Sequence, residues 1–111
     1  MPDRILLLSR DKDLLYTREQ IFQRAGYVTV SATNLQSALA LAVEQEPAVI
    51  LVGHTFSAEE QRLFVERLHE THPHLRILLL REGLIDPTIL LAACESFLRS
   101  DPATARVQVL Y

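Results

Sequence analysis

Short apolar runs alternate with amphipathic stretches along most of the sequence. Residues 5–8, 27–30, 48–52 and 77–80 have the length and the aliphatic or β-branched content of buried strands. Between these runs, apolar residues recur at the spacing of a helix with one buried face. The alternation predicts a doubly wound α/β fold, in which a parallel sheet with right-handed crossovers carries helices on both faces.

Polar residues with capping chemistry mark the ends of the first two helices. Asp11 precedes the first helical stretch, and Gly26 follows it as a stop. Thr33 or Asn34 caps the second helix, which Pro47 closes. Residues close to the helix ends are therefore sufficient to predict where the first two helices begin and end.

The third and fourth helices begin with longer motifs. Ser57 and Glu60 have the spacing of a capping box, in which each side chain accepts a hydrogen bond from the backbone N–H of the other residue. Asp86 and Pro87 combine a capping carboxylate with a proline in the first helical turn. Both motifs predict well-defined helix starts.

The C-terminal region after residue 95 has two interpretations. Residues 96–99 can form the fifth strand, with Asp101 and Pro102 opening a short last helix. Residues 107–110 can instead form that strand, and their two valines favour it locally. In both cases the C-terminal end is too short for a full final helix. We therefore expect a partly uncovered sheet face, and because such apolar patches mark interfaces, dimerisation is a hypothesis.

Composition narrows the class of protein. The 111 residues, 49% of them hydrophobic, predict one globular domain over residues 1–111. The net charge of -3 argues against a surface for nucleic acid or anionic membranes. No apolar stretch approaches the ~20 residues of a membrane span, and no export signal precedes the first strand. Because Cys94 has no second cysteine to pair with, we expect a cytoplasmic, reducing location.

Seven segments, in order, resemble the receiver domain of bacterial response regulators over nearly the whole chain. These segments are residues 4–8, 13–15, 25–28, 37–39, 46–52, 72–77 and 96–99. The resemblance implies a flavodoxin-like sheet of five parallel strands with its active cleft at their carboxyl ends. It also favours residues 96–99 over residues 107–110 as the fifth strand.

The resemblance further implies a phosphorylation site, and this sequence departs from it at every position. The two acidic residues that hold Mg²⁺ correspond to Ser9 and Arg10, and the aspartate that accepts phosphate corresponds to Gly53. The hydroxyl residue corresponds to Arg81 and the lysine to Ser100. Mg²⁺ requires hard oxygen ligands, and phosphoryl transfer requires a nucleophile with charge neutralisation. We therefore expect no phosphorylation by this chemistry.

Arginines at two of these positions have two interpretations. Arg10 and Arg81 can together bind an anion in the cleft, because guanidinium groups hold carboxylate or phosphate bidentately. Alternatively they form ion pairs with Asp11, Asp13 or Glu82, which is the favoured interpretation because acidic residues are abundant nearby.

The remaining candidate groups carry weaker signals. His54 has no second acid, base or ligand at a convincing spacing and is interpreted as a solvated loop residue. His69, His72 and His74 form a cluster with the residue types of a metal site, but no further ligand completes it, so no metal is predicted. Cys94 lies beside alanines and is expected to be packed. No glycine-rich phosphate turn follows the first strand, so no cofactor is predicted.

These observations favour a non-enzymatic function. We expect a receiver-like domain that acts as a phosphorylation-independent interaction module for a protein partner in bacterial signal transduction. By resemblance, its interaction face covers roughly residues 86–111, with Ile89, Phe97, Val107, Leu110 and Tyr111 as candidate contacts. Two alternatives remain: a sensor switched by an anion in the Arg10/Arg81 cleft, or a small enzyme on a flavodoxin-like scaffold.

Overall fold

Strands and helices alternate along the chain in the computed structural model, which describes residues 3–83, 85–100 and 106–110. The strands are β1 (Arg4–Leu8), β2 (Val28–Ala32), β3 (Val49–Val52), β4 (Arg76–Leu80) and β5 (Val107–Leu110). The helices are α1 (Lys12–Arg24), α2 (Leu35–Gln45), α3 (Ala58–Thr71) and α4 (Pro87–Arg99). None of these helices is long and apolar enough to span a bilayer.

All five strands are parallel and form one sheet in the order β2-β1-β3-β4-β5. This order and the surrounding helices confirm the predicted flavodoxin-like α/β fold. β1, β3 and β4 are covered on both faces, which explains why their sequences are continuous apolar runs. The edge strands β2 and β5 are only partly buried.

The caps predicted from the sequence form as expected. The side chain of Asp11 accepts hydrogen bonds from the backbone N–H groups of Asp13 and Leu14, and Asn34 rather than Thr33 caps α2. The reciprocal bonds of the capping box are both present at the start of α3. Gly26 follows α1 with a φ of 96°, a conformation that favours glycine.

The core consists of two clusters, one on each face of the sheet. On one face, Leu15 and Phe22 of α1 join Leu90, Cys94 and Phe97 of α4. The other face is covered by buried residues of α2 and α3, which are Ala38, Ala42, Phe64 and Leu68. Helices α1 and α4 therefore share one face, and α2 and α3 share the other.

This arrangement gives the fourth crossover an unexpected hand. The connections through α3 and α4 both advance one strand in the same direction across the sheet, but the two helices lie on opposite faces. The crossover through α4 therefore has the opposite hand to those through α1, α2 and α3. The prediction of uniform right-handed crossovers is wrong here, and left-handed parallel crossovers are rare.

Packing provides a physical reason for the position of α4. Leu78 and Leu80 of β4 point to the α1 face, and α1 alone does not cover a face that extends over β1, β3 and β4. Leu90, Cys94 and Phe97 recur on one side of α4 and bury this part of the sheet. The consequence lies on the α2/α3 face, where no helix among the described residues covers β5.

The fifth strand is the second of the two sequence alternatives. Residues 96–99 continue α4, so the favoured interpretation of this segment as a strand is wrong. Residues 107–110 pair with β4 in parallel register. Because residues 107–110 form a strand, they are not part of the short last helix predicted to begin at Asp101 and Pro102. Asp101 and Pro102 themselves lie outside the described residues.

Candidate functional site

The carboxyl ends of β1 and β3 lie side by side at one edge of the sheet. Leu8 is the register partner of Val52, so the residues that follow these strands are brought together. The backbone N–H of Gly53 donates to the carbonyl of Leu8 at 2.8 Å. We call the region formed by residues 9–10 and 53–55 the strand-end cleft. It contains three positions of the phosphorylation site that the resemblance implies, which are Ser9, Arg10 and Gly53, and it also contains His54.

Arg10 links the two loops of the strand-end cleft. Its Nη1 and Nη2 atoms donate to the two carboxylate oxygens of Glu60 at 3.1 and 2.5 Å, and Nη1 also donates to the carbonyl of Thr55 at 3.3 Å. The guanidinium lies 4.4 Å from the centroid of the Phe56 ring, within cation–π range. The charge of Arg10 is therefore already compensated within the chain.

The partner of Arg10 differs from the acidic residues expected from the sequence. We expected Asp11, Asp13 or Glu82, but the capping box holds Glu60 in the first turn of α3, facing Arg10. The hydrogen bonds from Arg10 are the main cause of a Glu60 pKa lowered from 4.5 to about 2, with a further contribution from the backbone N–H of Ser57. The hydrogen bond to Glu60 likewise raises the pKa of Arg10.

This ion pair predicts a pH-dependent stability. Because folding lowers the pKa of Glu60, the charged pair stabilises the protein above about pH 4.5, and this contribution is lost as the pH falls toward 2. In Glu60→Gln the capping role is retained and the charge is removed. We expect Glu60→Gln to melt below the wild type at neutral pH, with the difference shrinking as the pH is lowered from about 4.5 toward 2. Thermal melts at several pH values measure this, and a pH-independent difference would contradict it.

Gly53 is held in a space that does not accommodate a side chain. A Cβ atom built on Gly53 would lie 2.9 Å from the carbonyl oxygen of Leu8 and 3.2 Å from Nη1 of Arg18. The first contact is with backbone, which cannot move aside as a flexible side chain can. The position that corresponds to the phosphate-accepting aspartate therefore has room only for glycine in this chain.

Arg18 is a residue of this region that the sequence analysis missed. It lies on the buried side of α1 between Leu15 and Phe22 and is only 3% exposed. Burial lowers its pKa, and the charge of Asp11 partly opposes this effect. Within the described residues the Arg18 guanidinium has no hydrogen-bond acceptor. Its signal in the sequence was a single charged residue in the apolar stripe of a helix.

Gln61 is the second residue that was missed, and it joins the ends of two strands. Its Nε2 atom donates to the carbonyl of Gly53 at 3.1 Å and to the carbonyl of Leu80 at 3.0 Å. The side chain is fully buried, and its Oε1 atom has no hydrogen-bond partner within the described part of the chain. Gln61 fixes the position of Gly53 relative to β4, because it satisfies one carbonyl from each strand.

The strand-end cleft does not fit a magnesium ion. The hydroxyl of Ser9 accepts a hydrogen bond from the backbone N–H of Asp11 at 3.1 Å, and the carboxylate of Asp11 caps α1. The other charged groups at this edge are the Arg18 guanidinium, which repels a dication, and the Arg10–Glu60 ion pair, in which the carboxylate oxygens of Glu60 already accept hydrogen bonds from Arg10 and from the backbone N–H of Ser57. Within the described parts of the chain, no three acidic, histidine or cysteine side chains are grouped to hold a metal.

Arg81 does not join Arg10 in an anion site. It lines a separate groove on the α2/α3 face, with a volume of about 550 Å³, bordered by α3 on one side and β5 on the other. We call it the β5 groove; its apolar lining includes Val65, Leu79 and Val107. Among the described residues, no group forms a hydrogen bond or ion pair with the Arg81 guanidinium.

Ser100 and Phe97 lie away from the positions that the resemblance implied. Ser100 does not follow a strand, because it is the C-terminal cap of α4. Its carbonyl accepts a hydrogen bond from Arg76 at the start of β4, which is the opposite edge of the sheet from the strand-end cleft. Phe97 is fully buried in α4 and not part of the fifth strand.

The predicted interaction face is not a single surface. Ile89 is 56% exposed on α4, whereas Phe97 is buried beneath the same helix. Leu110 packs against the α1/α4 cluster, but Val107 lines the β5 groove on the other face of the sheet. Tyr111 lies outside the described residues. The residues separate because α4 crosses to the α1 face.

The histidines and the cysteine have ordinary structural surroundings. A Cβ at Gly83 would lie 2.6 Å from two atoms of the His54 ring, so this exposed imidazole packs against the loop after β4. Nε2 of His69 lies 2.9 Å from the carbonyl oxygen of Leu75, and Nε2 of His74 lies 3.4 Å from a carboxylate oxygen of Glu46. Burial raises the pKa of the Cys94 thiol to about 12, which keeps it protonated.

Comparison with solved structures identifies the fold. A CheY-like response regulator receiver domain protein from Methanospirillum hungatei superposes with a TM-score of 0.79 at 19% identity, over 88% of this chain and 94% of that one. The Vibrio cholerae chemotaxis protein CheY4 gives a TM-score of 0.78 at 17% identity, over 87% and 99% of the two chains. A LuxR-family two-component response regulator from Aurantimonas gives 0.78 at 19% identity, over 97% and 90%. No family model and no curated protein sequence matches this chain.

Proposed function

We propose that this chain is a receiver-like domain that works in signal transduction as a phosphorylation-independent protein interaction module. The receiver fold of response regulators supports the signalling role, since solved structures similar to this chain carry that description. One observation carries the independence from phosphorylation: Gly53 stands at the end of β3 with Arg18 3.2 Å from where its Cβ would be.

The chemistry of phosphoryl transfer explains why that observation supports independence from phosphorylation. An acceptor must supply a nucleophilic oxygen, and a cation must bridge the phosphoryl oxygens while the bond forms. Gly53 has no side-chain oxygen, and the arginines at this edge do not coordinate Mg²⁺. A neutral hydroxyl at Ser9, already used in a turn, does not replace a carboxylate ligand.

A fixed conformation follows from the same contacts. Arg10 ties the loops after β1 and β3 together, and Gln61 ties the ends of β3 and β4. Receivers that switch are expected to use a hydroxyl residue and an aromatic residue on the fifth strand. Here Arg81 replaces the hydroxyl, and β5 has the sequence Val-Gln-Val-Leu without an aromatic residue. The proposed domain therefore presents one surface permanently.

We further propose that residues 1–111 form a single domain with a cytoplasmic location, and the free, buried thiol of Cys94 fits a reducing compartment. A homodimer remains a hypothesis about the uncovered sheet face. A molecular mass that does not change with concentration in light scattering would contradict the homodimer.

The amide NMR spectrum tests the fixed conformation. We expect the resonances of residues 9–11, 53–55 and 81–83 to keep their positions when Mg²⁺ and acetyl phosphate are added together. A receiver domain that retains its acceptor aspartate, treated in parallel, is the positive control. A second set of resonances in this chain, developing with time after addition, would contradict the proposal.

A further inference from the structure

The β5 groove is a part of a parallel sheet that no described helix covers, and this is physically unusual. Parallel sheets are normally covered by helices on both faces because both faces are apolar. On the α2/α3 face, α3 borders the groove, and beyond it no described helix covers β5. Val107 is 37% exposed as a result, and Leu79 and Val65 contribute further apolar lining. The crossover of α4 to the other face is what leaves this surface open.

The shape of the groove favours a helix as its occupant. The floor consists of aliphatic side chains on β4 and β5, and one wall is a helix that packs on the same sheet. A strand of four residues is about 13 Å long, which corresponds to roughly nine residues of helix. Two to three helical turns with one apolar stripe would therefore cover the exposed part of β5.

The charges around the groove specify the occupant further. On the α3 wall, Arg62 is paired with Glu66 at 2.7 Å and lies 3.9 Å from Glu59, so these charges largely compensate one another. Arg81 is different, because its half-buried guanidinium has no partner among the described residues. A carboxylate opposite Arg81 would form a bidentate pair at the end of the groove near the carboxyl edge of the sheet.

We propose that the β5 groove binds an amphipathic helix of a partner protein, with its apolar stripe over Leu79 and Val107 and an acidic residue opposite Arg81. This inference rests on the proposed interaction role and names the surface and the class of partner. It also assigns Arg81 a function in partner recognition that differs from the anion site considered from the sequence.

Selection from a phage-displayed library of helical peptides tests the proposal. We expect enriched peptides to share an apolar stripe at helical spacing and an acidic residue near one end. Val107→Lys is expected to abolish their binding, whereas Val28→Lys is the matched control. Val28 is an equally exposed valine on the other edge strand, 42% exposed against 37% for Val107. Unfolding curves establish that both variants are folded before binding is measured.

A charge exchange tests the role of Arg81. We expect Arg81→Glu to weaken binding of an enriched peptide by about tenfold or more, and replacement of the peptide's acidic residue by lysine to restore it. Three results would overturn the inference: no enrichment, binding that is indifferent to both groove substitutions, or a self-association that Val107→Lys abolishes. Binding elsewhere on the domain leaves the interaction role intact, whereas a phosphorylation-dependent NMR spectrum contradicts that role and leaves the groove unaffected.

Discussion

Replacing Phe97 with alanine is expected to lower the free energy of unfolding by about 3–5 kcal/mol, a large part of the stability of a domain of this size. The ring is fully buried and belongs to the cluster between α4, α1 and the sheet. Its removal leaves a cavity that the surrounding helices can only partly close. Urea unfolding of the wild type and the variant measures the difference.

Ile89→Ala is the matched control for Phe97→Ala. Ile89 lies on the same helix but is 56% exposed, so we expect its replacement to change the unfolding free energy by no more than about 0.5 kcal/mol. Equal effects of the two substitutions would contradict the orientation of α4. An effect of Phe97→Ala near zero would instead favour the prediction from the sequence that Phe97 is a contact on an interaction face.

A second large effect is expected when a carboxylate is placed at Gly53. Gly53→Ala introduces only the steric contact with Leu8 and Arg18 and should cost about 1–3 kcal/mol. In Gly53→Asp the same contact is present, but the new carboxylate can pair with the Arg18 guanidinium. We therefore expect Gly53→Asp to be no less stable than Gly53→Ala.

The double-mutant cycle with Arg18→Met isolates that pairing. Arg18→Met alone should be neutral or slightly stabilising, because an apolar side chain replaces a buried guanidinium that forms no hydrogen bond to any described residue. Combined with Gly53→Asp it leaves a buried, unpaired carboxylate, and we expect a further loss of about 3–5 kcal/mol. Chemical unfolding of the four proteins gives the coupling energy. Additive effects would show that Arg18 does not face position 53.

Local signals in the sequence predicted most of the fold. Asp11, the Ser57–Glu60 capping box and Asp86–Pro87 each satisfy backbone groups within one turn, so their effect does not depend on the rest of the chain. Continuous apolar runs likewise identified the central strands, because burial on both faces leaves no polar position.

The C-terminal region could not be predicted in the same way. Leu90, Cys94 and Phe97 have helical spacing, so the buried stripe of α4 continues through residues 96–99. The family resemblance instead favoured these residues as the fifth strand. The two β-branched valines of β5 were the better signal. The hand of the α4 crossover depends on which face of the sheet the other helices leave exposed. That face is determined by the packing of the whole core, so local sequence does not indicate it.

Of the candidate site, only the residues that directly follow the strands could be predicted from the sequence. Ser9, Arg10 and Gly53 are brought together because β1 and β3 are parallel neighbours. Arg18 and Gln61 come from helices, and each occupies a buried position where spacing alone predicts an apolar residue. From the sequence, such a residue is recognised only as a polar residue in an otherwise apolar helix stripe, and its contacts cannot be inferred.

Independence from phosphorylation is best tested by the mass of the intact protein after incubation with acetyl phosphate and Mg²⁺. We predict an unchanged mass, because position 53 offers no acceptor oxygen, Arg18 repels a dication at this edge, and the carboxylate of Glu60 is already paired with Arg10. A receiver domain with its acceptor aspartate, incubated in parallel, should gain the mass of one phosphoryl group. The same gain in this chain, reversed by mild base as for an acyl phosphate, would show that the chain is phosphorylated and that the proposed independence from phosphorylation is wrong.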